Sequence, residues 1–342
     1  MPLRVDYAFT PGSIVPASLR GSSLWRYRDV LPVVEGEVTL CEGWTPLLAV
    51  GERVWIKDEA RNPTGSFKAR GMTAAVTMAK HFGARALVAP SAGNAAGALA
   101  AYGAAAGLPV TVAMPEDTPA TFVEECRLYG AEVHLVAGTI ADAGAFLRAH
   151  GPKDAFDVST LREPYRIEGK KTMAYELFEQ LDGELPEVII YPTGGGTGLV
   201  GMWKAFHEME MLGWLGRGAA KPKLVSVQAE GCAPVVKGFI EGREKTVPWP
   251  SPRTTAYGLR VPSPIGGFVC LRALRETHGT GVMVSEAKIA EGTRALAKMS
   301  GIDVCPEGGA AWAALAQLRQ SGFIGDRDRV VVFNTGTGLK YR

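Results

Sequence analysis

The stretch "NPTGSFKARG", residues 62–71, decides how the chain is read. It holds two glycines, a proline, small hydroxyl residues and one aromatic, which is turn chemistry. In its middle stands Lys68, a long cation where a tight loop enters a helix. Helix N-termini carry unpaired N–H groups and the positive end of the macrodipole, so they favour anions and disfavour an ammonium. A lysine placed there suits a side chain that must react as a neutral amine.

Working outward, "RVWIKDEA" reads as a strand leading into this loop, and "ARGMTAAVTMAKHFG" as a helix ended by Gly83. Short apolar runs then alternate with helical segments. "RALVAPS", "PVTVAMP", "EVHLVAG" and "AFDVST" read as strands; "GNAAGALAAYGAAAG", "ATFVEECRLYG" and "IADAGAFLRAHG" read as helices. The alternation restarts with the helix "KKTMAYELFEQLDG" and the strand "PEVIIYPTGGG". Helices "LVGMWKAFHEMEMLG", "SEAKIAEGTRALAKMSG" and "GGAAWAALAQLRQSG" and strands "PKLVSVQAEG" and "RVVVFNTGTG" complete it. This predicts an α/β fold of two lobes, each an open, mostly parallel sheet flanked by helices. Residues 1–50 are read as a wrapping segment and "EGREKTVPWPSPRTTAYGLRVPSP" as a long functional loop. Four segments stand at strand exits: the Lys68 loop, "SAGN", "PTGGGTG" and "NTGTG". Ligands of parallel sheets sit at such ends, which predicts one shared cleft.

Composition narrows the function. The chain has 342 residues, 37 basic against 35 acidic, so charge gives no reason to expect a nucleic-acid or anionic-membrane partner. Its five cysteines are scattered without CxxC spacing, which predicts no metal site and reduced thiols in a cytoplasmic protein. No segment approaches the roughly 18 apolar residues that span a membrane. The glycine run Gly194, Gly195, Gly196, Thr197, Gly198 joins a strand to a helix, where backbone amides converge on a phosphate. It comes late in the chain and lacks a Walker lysine, so neither a dinucleotide nor ATP is expected. Ser91 and Asn94 read either as helix caps or as ligand contacts.

These segments, in this order, resemble the fold type II pyridoxal-phosphate enzymes of the tryptophan-synthase-β kind. The resemblance implies pyridoxal 5'-phosphate held as a Schiff base on Lys68, with Phe67 beside it. Gly194, Gly195, Gly196, Thr197 and Gly198 would form the phosphate cup. Asn94 would meet the cofactor's phenolic oxygen, Ser91, Ala92 and Gly93 the substrate carboxylate, and Thr335 the pyridine nitrogen. It further implies a large domain of residues 1–58 and 160–342 binding the cofactor phosphate, and a small domain of residues 59–159. A homodimer acting on a small amino acid is expected.

Within that family, "LWRYRDVLPV", residues 24–33, and "PYRIEGKKT", residues 164–172, are similar to threonine synthase segments. The similarity implies conversion of O-phosphohomoserine and water to threonine and phosphate, with Arg166 near the substrate phosphate. Ala69, Ala95 and the sequence GGGTG depart from that subgroup, the last toward amino-acid ammonia-lyases. A threonine or serine ammonia-lyase, or another β-elimination or replacement enzyme, is therefore the alternative. A non-enzymatic anion-binding α/β protein would leave Lys68 and Thr335 without a role.

Overall fold

The computed structural model describes residues 3–32 and 35–342; Val33, which closes the "LWRYRDVLPV" segment, lies outside the described residues. In chain order it forms β1 (Leu47–Gly51), β2 (Val54–Asp58), α1 (Lys68–His81), β3 (Leu87–Pro90), α2 (Asn94–Ala106) and β4 (Val110–Pro115). Next come α3 (Ala120–Leu128), β5 (Glu132–Val136), α4 (Ile140–His150), β6 (Phe156–Asp157), α5 (Tyr165–Gln180), β7 (Val188–Pro192) and α6 (Thr197–Met211). The chain ends through β8 (Lys223–Ala229), α7 (Pro234–Ile240), α8 (Gly267–Glu276), β9 (Thr280–Val284), α9 (Glu286–Ser300), α10 (Pro306–Gln320) and β10 (Val330–Asn334).

Two compact units result. The first comprises Met1–Asp6, Gly21–Gly43 and Asn62–Lys170; the second comprises Tyr7–Arg20, Trp44–Arg61 and Lys171–Arg342. The first unit holds a four-stranded sheet in the order β5-β4-β3-β6, parallel throughout. Met72 and Val76 of α1, Leu99 and Tyr102 of α2, and Val112 and Met114 of β4 belong to its core. The second unit holds a six-stranded sheet in the order β1-β2-β10-β7-β8-β9, parallel except for the β1–β2 pair. Its central strands β7 (VIIYP) and β10 (VVVFN) are buried at every residue. That is the pattern of a parallel sheet covered on both faces. The α/β class and mostly parallel sheets read from the sequence are thus observed.

Three contacts in the first unit set the position of α1. The "LWRYRDV" segment forms a 3-10 turn burying Leu24, Tyr27 and Val30. From it the Trp25 indole N–H donates to Thr73 Oγ1 on α1 at 2.9 Å. On the other side α1 meets the start of α5. A Cβ on Gly169 would lie 1.8 Å from the Arg70 carbonyl oxygen, and one on Gly71 would lie 2.9 Å from Lys170 Cε. At Gly169 the backbones approach too closely for a side chain, and at Gly71 the Lys170 stem fills the place of one.

The start of α5 is held from outside the helix. Glu163 Oε2 accepts the Arg166 backbone N–H at 3.0 Å, satisfying one of the first-turn donors. The same carboxyl is buried, and burial pushes its pKa up to about 7 against the pull of Arg166. Its Oε1 has no hydrogen-bond partner among the described residues.

Two predictions follow from this packing. Gly169→Ala should lower stability by about 3 kcal/mol, the upper end of ordinary overpacking, because only backbone can yield. Gly216→Ala, where nothing lies within 4 Å of the new methyl, should leave the urea midpoint near wild type. Equal midpoints for the two variants would refute the close approach. Glu163 has a folded pKa of about 7, above its ordinary value, so its contribution is complete in acid and is lost as pH rises through about 7. Glu163→Gln cannot ionise. The melting temperature of wild type should therefore fall relative to that of the variant between pH 5 and pH 8. A difference that stays constant with pH would show that Glu163 does not titrate there.

Candidate active site

Lys68, the SAGN loop and Arg166 lie in the first unit; the glycine loop and Thr335 lie in the second.

Lys68 is the first residue of α1; the capping residue Phe67 makes no side-chain hydrogen bond to the helix, and the Ser66 hydroxyl accepts the Lys68 N–H at 3.4 Å. The turn before it is tight: Gly65 N–H donates to the Asn62 carbonyl at 2.9 Å, and Thr64 sits at φ +57°. A left-handed threonine is strained, and such strain gathers at functional sites. The half-buried Lys68 ammonium stands over the Phe67 ring, 4.4 Å from its centroid. A second amine shares that ring: Lys170 Nζ is 5.3 Å from the same centroid and wholly buried. Burial, then Arg166 and Lys68, push the Lys170 pKa well below the ordinary lysine value, while Glu163 pulls the other way. The sequence reading passed over Lys170, because nothing in "EGKKT" says which lysine faces α1.

The SAGN loop leaves β3 with the Ser91 N–H donating to the Ala113 carbonyl at 3.1 Å. Helix α2 starts at Asn94, and its capping position is Gly93. Capping of α2 by Ser91 is therefore not the use of this loop, and Ser91, Ala92, Gly93 and Asn94 stand together, half-buried, at the strand exit.

Arg166 lies in the first turn of α5 and is 4% exposed. Its Nη1 donates to the Val158 carbonyl at 2.8 Å and to Thr160 Oγ1 at 3.3 Å. Its Nε has no hydrogen-bond partner, and its guanidinium makes no ion pair among the described residues. Burial lowers its pKa; Glu163 and Asp157 oppose this at longer range. A buried guanidinium without a carboxylate on its fork is costly unless an anion arrives.

In the second unit the glycine run joins β7 to the 15-residue helix α6. Gly196 is its capping residue at φ +81°, a left-handed conformation, and a Cβ there would lie 2.1 Å from Cys270 Sγ. A Cβ on Gly194 would lie 2.1 Å from the Gly258 carbonyl oxygen, and one on Gly198 would lie 2.0 Å from the Tyr191 hydroxyl. Packing within the protein thus demands glycine at three of these positions, a cause the sequence reading, which looked only to phosphate approach, missed. The first N–H groups of α6 have no intrahelical acceptor.

The "EGREKTVPWPSPRTTAYGLRVPSP" loop supplies the Gly258 wall and is itself fixed. Its Gly258 N–H donates to Glu307 Oε1 at 2.7 Å, and the Tyr341 hydroxyl donates to the same oxygen at 2.9 Å. Glu307 lies in the first turn of α10. The Cys305 backbone N–H just before that helix donates to Asn334 Oδ1 at 3.2 Å, and Cys305 Sγ is 3.9 Å from Thr335 Oγ1. Asn334 Nδ2 donates to Asp58 Oδ1 at 2.9 Å. Burial and Glu307 push the Cys305 thiol well above its ordinary pKa, so the group beside the buried Thr335 hydroxyl is neutral. Among the described residues no cluster of His, Cys, Asp or Glu has the arrangement of a metal site. No helix among them is long and apolar enough to cross a membrane.

Residues 38–336 match the family model described as pyridoxal-phosphate dependent enzyme. The chain is 36% identical over 327 residues to a threonine synthase of Methanosarcina acetivorans, covering 93% of this chain and 80% of that one. It is 33% identical over 332 residues to a threonine synthase of Methanocaldococcus jannaschii, covering 94% and 81%. Its fold matches the processed form of threonine deaminase isoform 2 from Solanum lycopersicum with a TM-score of 0.73 at 22% identity, covering 98% of this chain and 95% of that one. On the extent of the family match and of these relatives, the chain belongs to the pyridoxal-phosphate dependent enzymes.

Proposed function

We propose that this enzyme is a threonine synthase, converting O-phosphohomoserine and water to threonine and phosphate in the cytoplasm as a homodimer. The relatives at 33–36% identity that bear that name support the reading. The observation that carries it is Arg166, a buried guanidinium whose Nε lacks a partner. The substrate of an ammonia-lyase brings no second anion to such a group, whereas a phosphate ester does.

Three features fit pyridoxal phosphate. Lys68 offers an amine at a helix N-terminus, where its charged form is disfavoured. The loop Gly194–Gly198 offers first-turn N–H groups of α6, which have no acceptor within the helix itself, in a backbone too crowded by Gly258, Cys270 and Tyr191 to carry side chains. Thr335 offers a buried neutral hydroxyl beside a neutral thiol. The cofactor, bound through Lys68, supplies an electron sink for the carbanion at the substrate Cα.

The chain's own groups then have these tasks. The backbone of Ser91, Ala92 and Gly93 holds the substrate carboxylate, and Asn94 orients the cofactor ring. Arg166 holds the phosphate that leaves Cγ. The Lys68 amine would remove the Cα proton and then a Cβ proton as phosphate leaves Cγ, and would return protons to Cγ and Cα. A water then adds at Cβ. Thr335, a neutral hydroxyl, does not enforce a charged ring nitrogen, which suits elimination and replacement more than transamination.

An arginine–phosphate contact contributes about 1.5–3 kcal/mol. Arg166→Ala should therefore lower kcat/KM for O-phosphohomoserine roughly 10- to 150-fold. Any turnover of unphosphorylated serine or threonine should change far less. Equal losses on both substrates would make Arg166 structural. Release of 2-oxobutanoate from threonine by the wild-type enzyme, with no threonine formed from O-phosphohomoserine, would replace the synthase reading by the ammonia-lyase one.

A further inference from the structure

Two buried polar atoms at the start of α5 lack partners among the described residues: Glu163 Oε1 and Arg166 Nε. Each residue is only 4% exposed. They stand in one small cluster. Glu163 Oε2 accepts the Arg166 backbone N–H at 3.0 Å, while Arg166 gives its Nη1 to the Val158 carbonyl and to Thr160. A buried carboxyl and a buried guanidinium three residues apart would satisfy each other by closing into a forked ion pair. Here that fork is not formed. One carboxyl oxygen and one N–H are left over.

We propose, given the reading of Arg166 as the residue that holds the substrate phosphate, that Glu163 sets the anion affinity of Arg166: a phosphate group and the Glu163 charge compete for one guanidinium, so the phosphate binds together with a proton that Glu163 takes up. Glu163 is thus a positioning and affinity-setting residue, acting on the anion through Arg166.

Electrostatics fixes the direction of the coupling. With no anion present, burial raises the Glu163 pKa and Arg166 lowers it; burial wins and the carboxyl stands at about 7. A dianion on Arg166 cancels the pull of the guanidinium and adds its own repulsion, where water screens little. Both changes favour the protonated carboxyl. The anion-bound protein therefore holds more protons than the free protein above about pH 7, and anion affinity must fall as pH rises there. The proton has a place: Oε2 is engaged with the Arg166 N–H, and Oε1 is the oxygen left to carry it. The other groups around Glu163 do not take over this role. Lys170 faces it from the next turn of α5, but burial, Arg166 and Lys68 of α1 all disfavour charge on that amine. The Tyr165 phenol beside it is pushed up by burial, by Glu163 and by Glu168, and stays neutral. Asp157 of β6 faces Arg166 at longer range and is exposed.

The test uses the cofactor-loaded enzyme and inorganic sulfate, which stays doubly charged across the range. Calorimetric titration at pH 7.5 in two buffers of different ionisation enthalpy counts the protons. Wild type should take up about two-thirds of a proton per sulfate bound, and its Kd should rise roughly five- to tenfold from pH 6 to pH 8. Glu163→Gln, which cannot ionise, should bind sulfate without that uptake and with a Kd nearly constant over the same range. Arg166→Ala should lose the binding. Sulfate held through Arg166 with no proton uptake by wild type, or with equal uptake by Glu163→Gln, would overturn the inference and leave the Arg166 reading intact. The wild-type proton count decides alone if Glu163→Gln does not fold. Sulfate binding that Arg166→Ala does not weaken would overturn the Arg166 reading, and the inference with it.

Discussion

The close approach of α1 to the beginning of α5 is the constraint on which the first unit depends. The Arg70 carbonyl occupies the place of a Gly169 side chain, and the Lys170 stem occupies the place of a Gly71 side chain. Because of that contact, Lys68, Phe67, Lys170 and Arg166 share one neighbourhood. The cost is charge burial: Lys170 and Arg166 lose most of their hydration, and an isolated buried ion is unfavourable by several kcal/mol. Such groups are retained where the arrangement performs a task that apolar residues do not. In the proposed reaction that task is to keep one guanidinium ready for an anion.

The second unit solves a different problem, that of holding two backbone loops still. Its agent is the N-terminus of α10. Glu307 grips Gly258, whose carbonyl packs against Gly194 of the glycine run. Two residues earlier in the chain, Cys305 binds Asn334 and stands beside Thr335. One helix end therefore fixes both the glycine loop and the strand exit that presents Thr335. Asn334 extends the same set of bonds to Asp58 at the end of β2. A loop that must present backbone N–H groups needs this support, since misplacement by even an ångström weakens a charge-assisted hydrogen bond severely.

The sequence disclosed the buried central strands and the helices between them, because an unbroken apolar run such as "VVVF" has few other uses. It did not disclose β1 and β9, the two edge strands of the larger sheet. Each has only part of its surface covered, so Leu47–Gly51 and Thr280–Val284 carry a weaker pattern. Helices α7 and α8 were also missed, the first short and the second opening on a glycine. The start of α5 was placed late, at Lys170 where the helix begins at Tyr165; Gly169, a poor helix former, is there for the Arg70 carbonyl. Lys68, the glycine run and Thr335 were legible as strand-exit motifs. Lys170, Cys305 and Glu307 were not, because each acts through a neighbour distant in sequence, and a single sequence carries no sign of that pairing; Glu163 sits only three residues before Arg166, but its burial left no mark in the sequence.

Everything proposed for the site requires that Lys68, and no other lysine, bear the cofactor. Borohydride reduction of the purified protein, followed by digestion and peptide mass mapping, examines this directly. The expected result is a pyridoxyl adduct on Lys68 with Lys170 and Lys171 unmodified. An adduct on either of those lysines, or none on any peptide, would contradict it.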